Sequence, residues 1–316
     1  MSVAVSVLIS THNPHWGRLS RTLDGLLAQT LSANDWELVV VDNASTPFLA
    51  AQALRLERHP RARLVREERL GLIFGRIAGI EASRGEIVIF CDDDNVLAPD
   101  FLTRTVEIFS ADPRLGNASG KSLPDFETAP PLWTQEFYGN LALRDFGNEQ
   151  HVYEGWSGEY PTLAFGGGGA AFKRSALVGV LLRLSTRTEI IPGRTGQEFA
   201  SGEDNDIILS LLRDGWRVGY FPELLMTHII PATRLAPTYL GRLSHGIAKS
   251  WLQVLALHGI CPWKPASNWS VPLRKWRAYL RYRAWAGPAE YVRWRGACGH
   301  FEGRAIIGGI RGLDHA

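Results

Sequence analysis

Cysteine is scarce, with Cys91, Cys261 and Cys298 the three in 316 residues. Odd in number and far apart, they provide neither a disulfide framework nor a paired-cysteine zinc site, and they fit a reducing compartment. No apolar run approaches the ~20 residues that a membrane-spanning helix requires. The first seven residues, Met1 to Val7, lack the basic region that opens a signal peptide, so a cytoplasmic location is expected. Internal repeats and low-complexity linkers are also missing. With 45% hydrophobic and 21% charged residues, the composition excludes the disordered, collagen-like and coiled-coil classes. At ~150 residues per domain the length allows about two domains, or one large α/β unit with an appendage.

The net charge of +2 is small, but it is unevenly spread. After Thr233 there are 13 Lys and Arg against 3 Asp and Glu, an excess of ten positive charges. The preceding residues hold 21 basic and 29 acidic side chains, an excess of eight negative charges. An acidic body, residues 1–233, therefore carries a basic extension, residues 234–316, and the extension holds Trp251, Trp263, Trp269, Trp276, Trp285 and Trp294.

Apolar periodicity along the first ninety-odd residues switches between strand and helix in βαβ order. Val3, Val5, Val7 and Ile9 form a run that ends at Ser10-Thr11, and Leu19, Leu23, Leu26, Leu27 and Leu31 then recur at helical spacing. A second strand, Glu37 to Val41, closes at Asp42-Asn43. A less regular helical stretch over 50–58 leads to a short strand over 63–65, which ends at Glu67-Glu68. The fourth strand, Glu86 to Cys91, runs directly into Asp92-Asp93-Asp94-Asn95. Right-handed crossovers make such strands parallel, and ligands of parallel sheets bind beyond the carboxyl ends of the strands. Residues 113–160 read as irregular connections over that end, and a strand over 217–221 precedes a second apolar run, Leu224 to Ile230.

Polar residues at strand ends are ordinary turn chemistry. Three consecutive aspartates are different, because their mutual repulsion demands a cation or several hydrogen-bond donors, and an oxygen-rich cluster suits Mg²⁺ or Mn²⁺. Gly166-Gly167-Gly168-Gly169 is not a phosphate loop, since Phe172 precedes Lys173 where the motif requires glycine. Missing side chains there allow either a substrate or a closely packed strand. Gly71, Gly75 and Gly79 recur every four residues and indicate close helix packing, with Arg76 between them available to an anionic ligand. Ser201-Gly202-Glu203-Asp204 has capping-box spacing, so Asp204 is either a helix cap or a general base. His228, alone in an apolar strand, is either a hydrogen-bonded core residue or a ligand.

Taken in order, Val7-Leu8-Ile9-Ser10-Thr11-His12-Asn13, Val40-Val41-Asp42-Asn43-Ala44-Ser45, Gly85 to Asp94, and Gly202-Glu203-Asp204 resemble the glycosyltransferases of family 2, over roughly residues 3–235. The resemblance implies a GT-A fold, a Rossmann-like and mainly parallel α/β sheet, here with a basic, mainly helical C-terminal extension. It implies an enzyme that inverts the anomeric centre as it moves a sugar from a nucleotide-diphosphate donor to a saccharide or lipid-linked acceptor, in polysaccharide or glycolipid synthesis. Thr11 and Asp42 would then hold the nucleotide, together with Arg76, Asp92 and Asp93. Asp92 and Asp94 would hold Mn²⁺ or Mg²⁺, with His228 completing the shell. Asp204 would be the catalytic base, and Gly167, Gly168 and Glu203 would line the cleft or acceptor side. The family often has Ala-Arg-Asn where this chain has Gly75-Arg76-Ile77, and an Asn where it has Arg69, so two amide contacts to the donor are missing.

Two other readings compete. Asp92-x-Asp94-x-Val96 after an apolar strand also fits the haloacid-dehalogenase phosphotransferases, but that leaves Asp42 and Gly202-Glu203-Asp204 without roles. A non-catalytic protein that binds sugar nucleotides or glycolipids on the same fold is the second. For the extension, a membrane surface and packing on the acidic body are the two expectations, with nucleic acid a weaker third.

Overall fold

A computed structural model describes residues 3–164, 166–186 and 202–310. Among them the architecture is mixed α/β, a mainly parallel sheet followed by a helical C-terminal region, as expected from the sequence. Strands β1 (Val5–Thr11), β2 (Trp36–Asn43), β3 (Ala62–Glu67) and β4 (Ile87–Phe90) lie parallel in the order β3-β2-β1-β4. Thr11 is level with Asp42, and Asp42 with Arg66, so the carboxyl ends of these strands come to one edge.

All eight residues of β2 are buried, which accounts for its near-continuous apolar run. Successive side chains of a strand point to opposite faces, and the two faces build two cores. On one face Val5, Val7, Ile9, Leu38 and Val40 meet α1 (Trp16–Leu27) and α3 (Phe101–Ala111). On the other, Leu8, Val39, Val41, Val88 and Phe90 meet α2 (Leu72–Ala82), α4 (Arg174–Thr186) and α5 (Glu203–Arg213).

The sheet continues through β8 (Ala170–Lys173), β6 (Leu115–Phe126), β9 (Arg217–Ile230) and β5 (Asn95–Leu97), with β7 (His151–Tyr153) also paired to β9. Two sequence expectations change here. Residues 50–58 form turns and a short 3-10 segment, Leu56–Arg58, because Leu54 and Leu56 are both buried at a spacing of two and Arg55 is left-handed at φ 51°. Residues 113–160 contain β6, a twelve-residue strand, together with a 3-10 stretch, Leu132–Leu141. Gly120 interrupts the alternation of β6 because it lies against the backbone of Leu224, where a β-carbon would stand 1.9 Å from the carbonyl oxygen. The two runs expected over 217–230 are one strand, with a register irregularity opposite Gly120.

The expected boundary after residue 233 falls inside the 3-10 turn Ala232–Leu235. Helices α6 (Pro237–Leu257), α7 (Val271–Tyr282) and α8 (Pro288–Ile310) follow. An apolar cluster crosses that boundary, joining Phe137, Leu141 and Ile230 to Leu240, Leu243 and Val292. No described helix is long and apolar enough to cross a membrane.

At the amino end of the strands Glu37 ties β1, β2 and the approach to β4 together. Its carboxylate accepts hydrogen bonds from the Ser6 hydroxyl at 2.7 Å, from the backbone of Gly85 at 3.3 Å and from the backbone of Arg84, and it pairs with Arg63. Burial alone would raise its pKa, but these bonds outweigh burial and hold it below the ordinary 4.5. A depressed carboxylate adds stability that is complete above its unfolded pKa and is lost as pH falls through the folded value. Glu37→Gln should therefore reduce the urea-unfolding free energy by about 2 kcal/mol at pH 7, and the gap to the parent should narrow below about pH 4. A gap that is constant with pH would show that the charge contributes nothing.

Candidate active site

β4 ends at Phe90, and the turn after it places three carboxylates at the carboxyl edge of the sheet. Asp93 accepts a hydrogen bond from the Thr11 hydroxyl at the end of β1. Asn95 fixes the turn, accepting from the Asp92 amide at 3.3 Å and donating to Asp94 Oδ1 at 3.2 Å. Because Asn95 in β5 is level with His228 in β9, His228 Nε2 comes to 3.4 Å from Asp94 Oδ1. Arg234, just beyond β9, pairs with Asp94 Oδ2 at 2.8 Å.

Asp204 faces this group from the first turn of α5. Its Oδ1 accepts from Arg76 Nη1 at 2.7 Å, and Arg76, 3% exposed, stacks 4.4 Å from the Phe90 ring. The glycine run lies between the two acidic groups. A β-carbon on Gly168 would stand 2.1 Å from Asn95 Oδ1 and 2.7 Å from Asp92 Oδ2, and one on Gly167, at φ 96°, would stand 3.0 Å from Asp204 Oδ2. The run thus serves both expected roles, since it packs closely on the acidic side chains and also lines the cavity. Behind α5, Asp206 Oδ1 lies 2.7 Å from Nε2 of buried His258, which anchors the helix to the end of α6.

These groups surround a cavity of about 450 Å³. Of the site residues expected from the sequence, Thr11, Arg76, Asp92, Asp93, Asp94, Gly167, Gly168, Asp204 and His228 line it. Asp42 and Glu203 do not. Asp42 is 2% exposed, with Oδ1 accepting from the Ser45 amide at 3.0 Å and Oδ2 from the Leu49 amide at 3.0 Å and Arg66 at 2.8 Å. Its carboxylate therefore organises the loop behind the wall, while neighbouring Asn43 and His12 reach the cavity. Glu203 is buried behind Asp204. Asp204 Oδ1 accepts from Arg76, and the N-cap residue Gly202 makes no side-chain capping bond; Ser201, the other half of the expected capping box, lies outside the described residues.

Sequence reasoning missed Arg144 and Arg234, which bring two more cations to the wall, and Tyr239, Leu243 and Ile247, which make an apolar side from α6. Arg144 sits in a stretch without periodicity, and Arg234 opens the basic extension, where composition makes it one charge among many. Burial and the neighbouring Asp94 push Asp93 up to about 6, against the pull of Thr11. Burial and Asp94 also raise Asp92, opposed by Arg76. Burial lowers Arg144 to about 10, against the pull of Asp204. Among the described residues no three His, Cys, Asp or Glu side chains converge as a metal-binding group. Asp94 and His228 are the adjacent pair, and His228 Nδ1 is buried with no hydrogen-bond partner.

Residues 6–177 match the family model for glycosyl transferase family 2. The match spans more than half of the chain, and the chain belongs to that family. It is 26% identical over 152 residues to a glucosyl-dolichyl phosphate glucuronosyltransferase of Haloferax volcanii, covering 48% of each chain. It is 27% identical over 237 residues to an N-acetylglucosaminyltransferase of Mesorhizobium japonicum, covering 72% of this chain and 52% of the relative. The chain spans about half the length of these curated relatives. S. aureus TarS 1–349, solved with UDP, shares the fold at a TM-score of 0.51 and 13% identity, covering 98% of this chain and 92% of that one.

The crowding at Gly168 predicts that Gly168→Ala will lower stability by about 2 kcal/mol and the melting temperature by about 3 °C. Gly155→Ala, where a β-carbon meets nothing within 4 Å, is the control and should change stability by less than about 0.5 kcal/mol. Equal melting temperatures for the two variants would remove the packing role of the glycine run.

Proposed function

We propose that the chain transfers a sugar from a nucleoside-diphosphate donor to an acceptor hydroxyl by a single inverting displacement. The observation that carries this reading is the position of Asp204, held by buried Arg76 across one cavity from the acidic strand end. In this reading Asp204 Oδ2 takes the proton of the acceptor hydroxyl as its oxygen bonds to the anomeric carbon. The bond from that carbon to the diphosphate breaks on the opposite face, and the diphosphate leaves with the electron pair. Arg76, expected to face the donor, instead aims the base, and Arg144 and Arg234 provide positive charge for the leaving group.

Asp94 and His228 fit a divalent ion, since a carboxylate and an imidazole 3.4 Å apart leave the remaining ligands to diphosphate and water. Bound Mn²⁺ or Mg²⁺ would act as a Lewis acid toward the leaving diphosphate. Asn43, His12 and Thr11 form the nucleotide end of the cavity, while Tyr239, Leu243 and Ile247 offer an apolar wall to a saccharide or lipid-linked acceptor. The haloacid-dehalogenase alternative gives the Arg76–Asp204 pair no task.

A panel of nucleotide sugars tested with Mn²⁺, UDP-linked ones first because TarS was solved with UDP, should show release of the nucleoside diphosphate from at least one donor. Asp204→Asn keeps an acceptor for Arg76 and removes the base, so turnover should fall about 100-fold or more while donor affinity holds. Donor binding without release by the parent chain would instead identify a binding protein. Undiminished turnover in Asp204→Asn would leave Asp204 a structural residue.

A further inference from the structure

The six tryptophans of the basic extension divide into two groups. Trp251 packs edge-on against Tyr160 with ring centroids 4.5 Å apart, Trp263 packs on His300 at 5.0 Å, and Trp294 donates its indole N–H to the Lys275 carbonyl at 3.1 Å. These three belong to the helical core. Trp269, Trp276 and Trp285 are 79%, 59% and 56% exposed, and all three lie on or beside α7.

Helix α7 buries Val271 and Ala278 and packs chiefly on α8, with Lys275 reaching Glu302 at 2.5 Å. At 3.6 residues per turn Leu273, Trp276 and Leu280 fall on one strip of its outer side, and Arg274, Arg277 and Arg281 on the adjacent strip. Leu273 and Leu280 are 44% and 45% exposed, Arg277 and Arg281 are exposed as well, and Arg274 is half-buried. From Asn268 to Trp285 there is no acidic residue, and no ion pair joins Arg274, Arg277, Arg281 or Arg283 to a carboxylate among the described residues. Packing on the acidic body therefore does not account for this helix. The extension meets that body elsewhere, through the apolar cluster and the Arg293–Glu136 pair at 2.5 Å.

We propose that α7 lies along an anionic lipid surface, with Leu273, Trp276 and Leu280 entering the headgroup boundary and Arg274, Arg277 and Arg281 against lipid phosphates. Indole rings favour that boundary, and an apolar strip beside a cationic one is the pattern of helices that lie in it. Nucleic acid would match the arginines but leave Leu273 and Leu280 in water. The surface is separate from the cavity, whose C-terminal lining comes from Arg234 and from Tyr239, Leu243 and Ile247 of α6.

Cosedimentation of the full chain with phosphatidylglycerol-containing and phosphatidylcholine-only vesicles tests this. Binding should require the anionic lipid and weaken with added salt. Replacing Arg274, Arg277 and Arg281 together by Gln should weaken it about 100-fold, at roughly fivefold per arginine, and a Trp276→Ser/Leu280→Ser variant should weaken it at least about tenfold. Quenching of parent tryptophan fluorescence by lipids brominated on the acyl chain gives a readout that does not depend on any variant folding. Absence of binding to anionic vesicles, equal binding by parent and folded variants, or no quenching overturns the proposal. So does tighter binding of RNA or duplex DNA that is lost with the same three arginines.

Discussion

The cavity brings Asp92, Asp93, Asp94 and Asp204 into one largely buried space, and the repulsion among them is the constraint around which the rest is built. Burial strengthens every charge interaction, so such a group persists only where cations are built in beside it. Arg76, Arg144 and Arg234 supply three of them, each from a different part of the chain. Arg76 comes from the helix after β3 and holds Asp204, while Arg234 comes from the turn after β9 and holds Asp94. Four carboxylates face three guanidiniums there, and in the proposed function a divalent ion enters with the anionic diphosphate.

Arg234 also changes the meaning of the C-terminal region. Composition marks it as a basic extension to an acidic body, yet its first residues close the acidic site and α6 forms the opposite wall. The apolar cluster around Leu240 and Leu243 makes that wall continuous with the end of β9. On the outer side of α7, Leu273, Trp276 and Leu280 stay exposed.

The parallel half of the sheet was legible because its buried strands are apolar runs that stop at polar residues. The acidic turn stood out because three consecutive aspartates have few structural uses, whereas the spacing around Asp204 left a helix cap and a base both open and only the family resemblance singled it out. β6 was hidden by Gly116, Gly120 and Pro124, which break the alternation that marks a strand. Asp42 shows a different limit. It sits at the right strand end, but the loop after it turns amides of Ser45 and Leu49 onto its carboxylate, and no local pattern distinguishes a carboxylate used this way from one that faces a ligand. Arg144 and Arg234 were hidden for a related reason, since an arginine acquires its meaning from the carboxylates that folding brings to it.

In the proposed function the acidic strand end takes a divalent cation together with a nucleoside diphosphate. Isothermal titration of the full chain with UDP, first with Mn²⁺ and then in excess EDTA, tests it most directly. Binding with Mn²⁺ that weakens by about tenfold or more in EDTA is the expected result. Equal affinity under both conditions would contradict the claim and leave the three arginines to hold the diphosphate without a metal.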